Sequence, residues 1–171
     1  MHLPDAEALL GQLAASLRDA IGPDTALVGI HSGGVWVAER LHAMLGITAA
    51  LGTLDVSFYR DDFERRGLKG SVRPSDLPFD VAGRDIVLID DVLYTGRTIR
   101  AALNLLFDYG RPARVRLAAL VDRGGRELPV AADFTGAALT VPDGQMLVLQ
   151  QGTAGRLALV LEAEEAANDA A

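Results

Sequence analysis

Apolar residues along the chain alternate between helical and strand-like spacing, with polar or glycine-containing breaks between the segments. The first segment has the three- and four-residue intervals of a helix face, in Leu9, Leu10, Leu13, Leu17 and Ile21. Pro4 stands at its start and Gly22-Pro23 at its end, where these residue types begin and stop helices. An apolar strand over residues 26–30 follows.

The same alternation continues towards the end of the chain. We predict helices over residues 35–45 and 98–109, each closed by a glycine. Further strands are predicted over residues 51–59, 86–89, 115–121, 146–150 and 157–161. Strands alternating with helices are typical of an α/β protein whose mostly parallel sheet is covered on both faces. No repeat or linker divides the chain, so we expect a single domain over residues 1–171.

Residues 60–84 interrupt this pattern. The segment is polar and contains several turn-forming residues, Gly67, Gly70, Pro74, Pro78 and Gly83. A loop of this length inside a compact domain is usually functional, so we predict a flexible loop over about residues 60–84. Residues 162–171 are acidic and rich in alanine, and we expect a solvated end there.

Composition narrows the class of protein. Of the 171 residues, 50% are hydrophobic and 23% are charged, which is typical of a globular protein. The chain has no cysteine, which excludes disulfides, thiolate metal sites and thiol nucleophiles. Its net charge of −7 disfavours indiscriminate nucleic-acid binding. No apolar run approaches the roughly 20 residues of a membrane-spanning helix and the first residues lack a secretory signal, so we expect a cytoplasmic protein without a membrane partner.

Residues 86–98 carry the most informative chemistry. Four aliphatic residues, 86–89, predict a strand buried on both faces, and Asp90 and Asp91 follow where that strand is expected to end. The next residues turn the chain into a helix: Tyr94, Thr95, Gly96, Arg97 and Thr98. A glycine-containing turn at the start of a helix offers backbone N–H groups to an anion. Two acids that can bind hydroxyls, followed by a phosphate cradle, suit a phosphorylated sugar.

A second glycine turn, Ser32-Gly33-Gly34, lies between the first predicted strand and the helix that follows it. Glycines have no Cβ atom, so backbone amides can approach an anion closely there. Taken alone, these residues fit an ordinary tight turn better than an anion site. Beside the 86–98 segment, the anion site is the favoured interpretation.

Two further segments follow predicted strands. Residues 57–63 place Arg60 among aromatic residues, where it could clamp a phosphate oxygen or belong to a solvated loop. Residues 120–129 bring three residues to the end of a later strand: Val121, Asp122 and Arg123. Their backbone groups could read a flat heterocycle beside the sugar, and a surface turn with one Asp–Arg pair explains the residues about as well.

Together these segments resemble the pyrimidine-operon regulator/uracil phosphoribosyltransferase family, one of the type I phosphoribosyltransferases. The matching motifs are Ser-Phe-Tyr-Arg-Asp-Asp in residues 57–62, Asp-Asp-Val-Leu-Tyr-Thr-Gly-Arg-Thr in 90–98, and Leu-Val-Asp-Arg-Gly followed by Arg-Glu-Leu-Pro in 120–129. The resemblance runs from about Ala26 to Glu162. It implies a type I phosphoribosyltransferase fold, with a mostly parallel five-stranded sheet flanked by helices, a small hood and a flexible loop.

The resemblance also implies an activity. Family members make UMP and pyrophosphate from uracil and phosphoribosyl pyrophosphate (PRPP), with Mg²⁺ as cofactor. Some bind the leader of pyrimidine-biosynthesis mRNA and respond to UMP. Cytosolic homo-oligomers, dimers or tetramers, are expected from the family.

Site residues follow from the matching motifs. Asp90 and Asp91 would face the ribose hydroxyls and act on the metal through water or those hydroxyls, and Arg60 would join them in catalysis. Tyr94, Thr95, Gly96, Arg97 and Thr98 would wrap the 5′-phosphate. Ser32, Gly33 and Gly34 would bind pyrophosphate, and Val121, Asp122 and Arg123 would bind the base.

One departure from the family pattern, one indication of the base and two alternatives complete the prediction. Relatives often have Thr-Arg-Gly at residues 32–34, so this chain lacks an arginine that would meet a pyrophosphate oxygen unless Arg60 or another loop residue supplies the charge. Tyr94 stands where purine-specific relatives often carry an acid, which favours a pyrimidine. One alternative is a phosphoribosyltransferase for another base. The other is an RNA-binding, UMP-sensing regulator with little catalysis, whose basic face would use Arg111, Arg114, Arg116, Arg123 and Arg126.

Overall fold

The computed structural model describes residues 2–57 and 73–164. In chain order the elements are α1 (Ala6–Arg18), β1 (Ala26–Ile30), α2 (Gly33–Leu45), β2 (Gly52–Leu54), β3 (Asp85–Leu93), α3 (Arg97–Tyr109), β4 (Arg114–Asp122), β5 (Phe134–Ala138), β6 (Gln145–Gln151) and β7 (Leu157–Ala163). A short 3₁₀ helix, Thr153–Gly155, joins β6 to β7. None of the helices in these two stretches combines the length and apolar character required to cross a membrane.

Five strands form a parallel sheet in the order β2–β1–β3–β4–β5. This confirms the predicted α/β architecture with a five-stranded sheet. The strand order changes direction at β1, which has β2 on one side and β3 on the other. Open α/β sheets bind ligands at such a switch point, outside the carboxyl ends of the strands. The loops that follow β1 and β3 are therefore the expected ligand-binding region.

Apolar side chains cover both faces of the sheet. On one face, α1, α2 and the β6–β7 hairpin pack on strand residues such as Leu27 and Val87. On the other face, α3 packs on the neighbouring residues Val28 and Leu88. Successive residues of β1 and β3 thus belong to opposite cores, which explains why these strands are continuously apolar.

The strand predicted over residues 51–59 is shorter in the structure, because β2 spans only Gly52–Leu54. The carboxylate of Asp55 turns the chain out of the sheet. It accepts the amide of Ser57 at 2.9 Å, the Ser57 hydroxyl, and the amide of Arg73 at 2.6 Å. Ser57 and Arg73 flank residues 58–72, which lie outside the described part of the chain.

Part of the predicted 60–84 loop lies on the sheet. Asp76 and Thr53 exchange backbone hydrogen bonds of 2.7 and 2.8 Å, which form an isolated antiparallel bridge. Leu77 and Phe79 pack against the core on the α3 side of the sheet. Residues 73–84 are therefore anchored beside β2.

The strand that carries the acids is longer than predicted. β3 continues to Leu93, so Asp90 and Asp91 lie inside the strand rather than after it. The pairing of β3 with β4 continues to Leu93 and Asp122, whereas its pairing with β1 stops at Ile89. The last part of β3 therefore has β4 along one edge and the loop after β1 at the other.

Two elements at the edges also differ from the prediction. The first helix ends at Arg18, short of Ile21, and Asp5 is its N-cap, with a carboxylate that accepts the amide of Ala8 at 3.2 Å. Strand β5 was not predicted from the pattern. Its residues, Phe134–Ala138, are only partly buried because β5 is the last strand of the sheet, so they lack the continuous apolar run of the central strands.

Candidate active site

The loop after β1 leads directly into α2. The amide of His31 donates to the carbonyl of Leu54 at 2.9 Å, which holds this loop against β2. The peptide bond between His31 and Ser32 is cis. Ser32 is the N-cap residue of α2, but its side chain makes no capping hydrogen bond. The side chain of Ser32 therefore leaves the first amides of α2 uncapped, as at helix starts that bind anions.

Gly33 and Gly34 bring this loop into contact with the two acids. A Cβ atom at Gly33 would overlap the carboxylate of Asp91. A Cβ atom at Gly34 would lie 2.5 Å from the carbonyl oxygen of Ile89 and 3.1 Å from the Cα atom of Asp90. Close packing on β3 therefore requires glycine at position 34. It also makes the predicted pyrophosphate loop a direct neighbour of the predicted hydroxyl-binding acids.

Asp90 and Asp91 differ in burial. Asp90 is only 5% exposed, and its Oδ1 accepts the amide of Asp91 at 3.1 Å. Asp91 is half-buried beside Gly33. Within residues 2–57 and 73–164, no three His, Asp or Glu side chains come together as a metal site. Mg²⁺ is commonly held by one or two carboxylates together with substrate phosphates, so the oxygens of this pair fit a metal shared with a phosphorylated ligand.

The turn after β3 has the geometry of an anion cradle. Gly96 is the N-cap residue of α3 with a φ of 93°, a conformation that favours glycine, and it offers no side-chain cap. The hydroxyl of Thr95 accepts the amide of Arg97 at 3.2 Å. The side chain of Arg97 extends outward to Glu127, with Nε 2.7 Å from Oε2. The Thr95 hydroxyl thus caps the first amide of α3, and the glycine conformation at position 96 leaves the following amides available to an anion.

The segment after β4 packs on this turn. The amide of Arg123 donates to the carbonyl of Leu93 at 3.0 Å. Its guanidinium carbon lies 3.9 Å from the ring centre of Tyr94, within the range of a cation–π contact. Gly125, with a φ of 73°, makes room for the ring, because a Cβ atom there would overlap Tyr94. The ring of Tyr94, predicted as part of the phosphate-binding turn, therefore lies against the predicted base-binding segment.

Asp122 is engaged inside that segment. Its carboxylate accepts the Arg126 guanidinium at 2.5 Å and the amide of Gly124 at 2.9 Å. Burial on its own would raise the pKa of Asp122, but these two hydrogen bonds hold the pKa below its usual value. The side chain of Val121 is in the core at 0% exposure. Backbone groups of residues 121–123, rather than the side chains of Val121 and Asp122, are therefore the atoms that suit base recognition.

Sequence reasoning did not find Asp55, which lies directly after β2 and close enough to His31 for its charge to act on that side chain. Burial would raise the pKa of Asp55, but hydrogen bonds from Ser57 and Arg73 keep it below its usual value. Burial, followed by the nearby charge of Arg73, lowers the pKa of His31 and favours its neutral form. An acid directly after an apolar strand was the available signal. Arg60, predicted as catalytic, lies outside the described residues.

Related proteins share most of the chain. Residues 2–141 match the family model of the phosphoribosyl transferase domain. The chain is 53% identical over 145 residues to the bifunctional protein PyrR of Pseudomonas fluorescens, covering 82% of this chain and 86% of that protein. It is 49% identical to the bifunctional protein PyrR of a Pseudomonas putida strain, covering 100% of this chain and 99% of the relative.

Solved structures share the fold at lower identity. The hypoxanthine phosphoribosyltransferase of Trypanosoma cruzi has a TM-score of 0.64 and 20% identity, covering 85% of this chain and 83% of that one. A hypoxanthine-guanine phosphoribosyltransferase of Bacillus anthracis has a TM-score of 0.67 and 18% identity, covering 86% of each chain. At such identities the likeness establishes the fold alone.

Proposed function

The chain belongs to the phosphoribosyltransferase family and, within it, to the family of the bifunctional protein PyrR, and on that premise we propose that it transfers the phosphoribosyl group of PRPP to uracil. The products are UMP and pyrophosphate. One observation carries the proposal: the glycine turn of residues 31–34 packs against Asp90 and Asp91, and the glycine turn of residues 94–98 follows these acids at the end of β3, at the switch point of the sheet. Two anion cradles with hydroxyl acceptors between them match the two ends of PRPP.

The reaction exchanges one bond at ribose C1 for another. The bond from C1 to the pyrophosphate oxygen breaks, its electron pair leaves with pyrophosphate, and a uracil nitrogen bonds to C1 and releases its proton. The protein must hold both ends of PRPP and stabilise a cation-like ribose. The turn at residues 94–98 would hold the 5′-phosphate, and the loop at residues 31–34 would hold the pyrophosphate.

The two acids would act between these anchors. Asp90 and Asp91 would accept hydrogen bonds from the ribose hydroxyls, and their negative charge would favour positive charge at C1. We propose Mg²⁺ as the cofactor, since the pair offers oxygen ligands. When bound, the metal supplies positive charge to the pyrophosphate oxygens. Arg60 remains the proposed source of further positive charge at the pyrophosphate.

A pyrimidine substrate is supported by the residues that border the base. Tyr94 occupies a position where purine-specific relatives often carry an acid, and its ring is held under Arg123. The hypoxanthine enzymes with a similar fold are at most about one-fifth identical to this chain. Their substrates therefore carry no argument for a purine here.

Pyrophosphate release tests the proposal. The protein is incubated with PRPP, Mg²⁺ and either uracil, hypoxanthine, guanine, adenine or orotate. We expect release with uracil, and its loss in the double variant Asp90→Asn/Asp91→Asn. Asp143→Asn, an exposed aspartate in the turn before β6, is the matched control and should retain activity. Release with a purine and not with uracil would contradict the substrate, and release that survives in the double variant would contradict the site.

A second function is proposed because the curated relatives are named bifunctional. It is binding of the leader of pyrimidine-biosynthesis mRNA, controlled by UMP. The five arginines predicted for a basic face do not all point outward. Arg114 and Arg116 both pair with Asp85, Arg126 pairs with Asp122, and the Arg123 guanidinium lies on Tyr94.

Leader-RNA affinity at different salt concentrations tests this second function. A phosphate-binding face predicts a steep fall in affinity between roughly 50 and 200 mM salt, and a change in affinity when UMP is added. Absence of RNA binding in the presence and absence of UMP would leave catalysis as the proposed function. Sedimentation in the same buffers would test the homo-oligomer, dimer or tetramer, that we also propose.

A further inference from the structure

We propose that Arg126 is a positioning residue that joins the phosphate turn (residues 94–98) and the base segment (residues 122–130) into one recognition unit. The inference rests on the proposed function, because it concerns the same two parts of the ligand. Arg126 was predicted only as one of several surface arginines. Its hydrogen bonds within the fold instead suit a role in positioning these two segments.

The guanidinium of Arg126 donates to acceptors in both segments. Nη1 donates to the carbonyl of Tyr94 at 2.7 Å and to the carbonyl of Gly124 at 3.4 Å. Nη2 donates to Oδ2 of Asp122 at 2.5 Å, and Nε donates to the carbonyl of Val130 at 2.9 Å. One planar group thus connects the end of β3 with both ends of the base segment. Lysine could not reproduce this fork, because its three donors radiate from a single atom.

Partial burial strengthens these hydrogen bonds. The side chains of Arg126 and Asp122 are 23% and 25% exposed. By contrast, Arg97 and Glu127, which connect the same two segments from outside, are 44% and 53% exposed. Exposed ion pairs contribute little, whereas hydrogen bonds from a charged group at a partly desolvated site are among the strong ones. Of these two ion-paired arginines, Arg126 is therefore the stronger link between the two segments.

The two segments do not depend on Arg126 equally. The phosphate turn is also held by α3 and by the carbonyl of Thr95, which accepts the amides of Glu127 and Leu128 at 3.0 and 3.1 Å. Residues 123–126 lie beyond the end of β4 and have fewer backbone ties, mainly the hydrogen bond from the amide of Arg123 to the carbonyl of Leu93. Loss of the guanidinium should therefore disturb base recognition more than phosphate binding.

Steady-state kinetics test this asymmetry in Arg126→Lys and Arg126→Gln. The matched control is Arg114→Lys, because Arg114 also pairs with an aspartate, Asp85, at 2.8 Å but lies at the opposite end of β4. For Arg126→Gln we expect the KM for uracil to rise by about tenfold while the KM for PRPP changes by less than about threefold. Arg126→Lys should be intermediate, and Arg114→Lys should leave both values unchanged.

Calorimetric binding separates positioning from stability. Ribose 5-phosphate carries the phosphate end of the ligand alone, whereas UMP carries both ends. We expect Arg126→Gln to weaken UMP binding by about tenfold and ribose 5-phosphate binding by less than about threefold. Arg126→Lys gives the same comparison if the glutamine variant does not fold. Equal losses for both ligands, or a lowered melting temperature with unchanged affinities, would overturn the inference.

These measurements also distinguish the inference from the function on which it rests. A wild-type chain that binds UMP but releases no pyrophosphate with uracil would overturn the proposed reaction. In that case, the ratio of UMP affinity to ribose 5-phosphate affinity in the Arg126 variants would still test the positioning role of Arg126. A wild-type chain that binds neither ligand would overturn both proposals.

Discussion

Two glycines allow the proposed pyrophosphate loop to pack closely on β3. At Gly34 a new Cβ atom would meet the carbonyl oxygen of Ile89, a backbone atom that cannot move aside. We expect Gly34→Ala to lower the free energy of unfolding by about 1–3 kcal/mol and to reduce pyrophosphate release strongly. At Gly33 the neighbour is the Asp91 carboxylate, which can rotate, so Gly33→Ala should cost less stability but still reduce activity. Urea unfolding and pyrophosphate release measure both effects.

Gly11, in the middle of α1, is the matched control. A Cβ atom there would have no neighbour within 4 Å. Alanine is the better helix former, so Gly11→Ala should raise the free energy of unfolding by about 0.5–1 kcal/mol and leave activity unchanged. A Gly34→Ala variant as stable and active as wild type would contradict the close packing.

At the residue scale, the site was predictable where its chemistry is contiguous in the chain. Residues 90–98 bring both acids and the turn proposed to bind phosphate together in one strand–turn–helix unit, so local pattern was sufficient to propose them. Arg126 and Asp55 were not predictable in the same way. Their important partners are 32 residues away for Arg126 and Tyr94, and 18 residues away for Asp55 and Arg73. Such contacts depend on which strands become neighbours.

Between elements, Asp85 holds the amino ends of three strands together. Its carboxylate accepts Arg114 at 2.8 Å, Arg116 at 3.0 Å and the hydroxyl of Thr25, just before β1, at 3.3 Å. The hydrogen bond from Arg114 is the main cause of a pKa below the usual value for Asp85. Because the folded-state pKa is lowered, this carboxylate stabilises the fold above the unfolded pKa of about 3.9, and the stabilisation is lost as pH falls through the folded value.

We therefore expect Asp85→Asn to lower the free energy of unfolding at neutral pH, with a difference from wild type that shrinks as pH falls below about 4. Denaturant unfolding over a pH series measures this difference. The control variant is Arg156→Gln. It removes an exposed ion pair between Asp5 and Arg156, whose side chains are 51% and 71% exposed. A difference between Asp85→Asn and wild type that stays constant with pH would show that the carboxylate has no lowered pKa.

Central and edge elements differed in how well the pattern predicted them. β1 and β4 are central strands rich in buried apolar residues, and their predicted bounds were confirmed to within one residue, whereas β3 continues four residues past its predicted end. β2 and β5 lie at the two edges of the sheet. Hydrogen bonds to the Asp55 carboxylate set the end of β2. Pairing with β4 sets the length of β5. Hydrophobic pattern reports burial, and edge strands are only partly buried.

For the whole molecule, the distant ends of the described chain share one core. Apolar residues of α1, the β6–β7 hairpin and the main sheet form a single cluster. Glu7 in α1 accepts the amide of Leu157 at 2.9 Å. We expect a single cooperative unfolding transition, with a calorimetric enthalpy equal to the van't Hoff enthalpy. Two resolved transitions in a calorimetric scan would contradict the single domain that we propose for residues 1–171.

Asp55 makes both boundaries of the interval 58–72 depend on a single side chain. One buried carboxylate binds Ser57 and Arg73, which precede and follow positions 58–72, beside the end of β2. Loss of the carboxylate would release Ser57 and Arg73 together, so selection on the fold acts on both ends of this interval through one position.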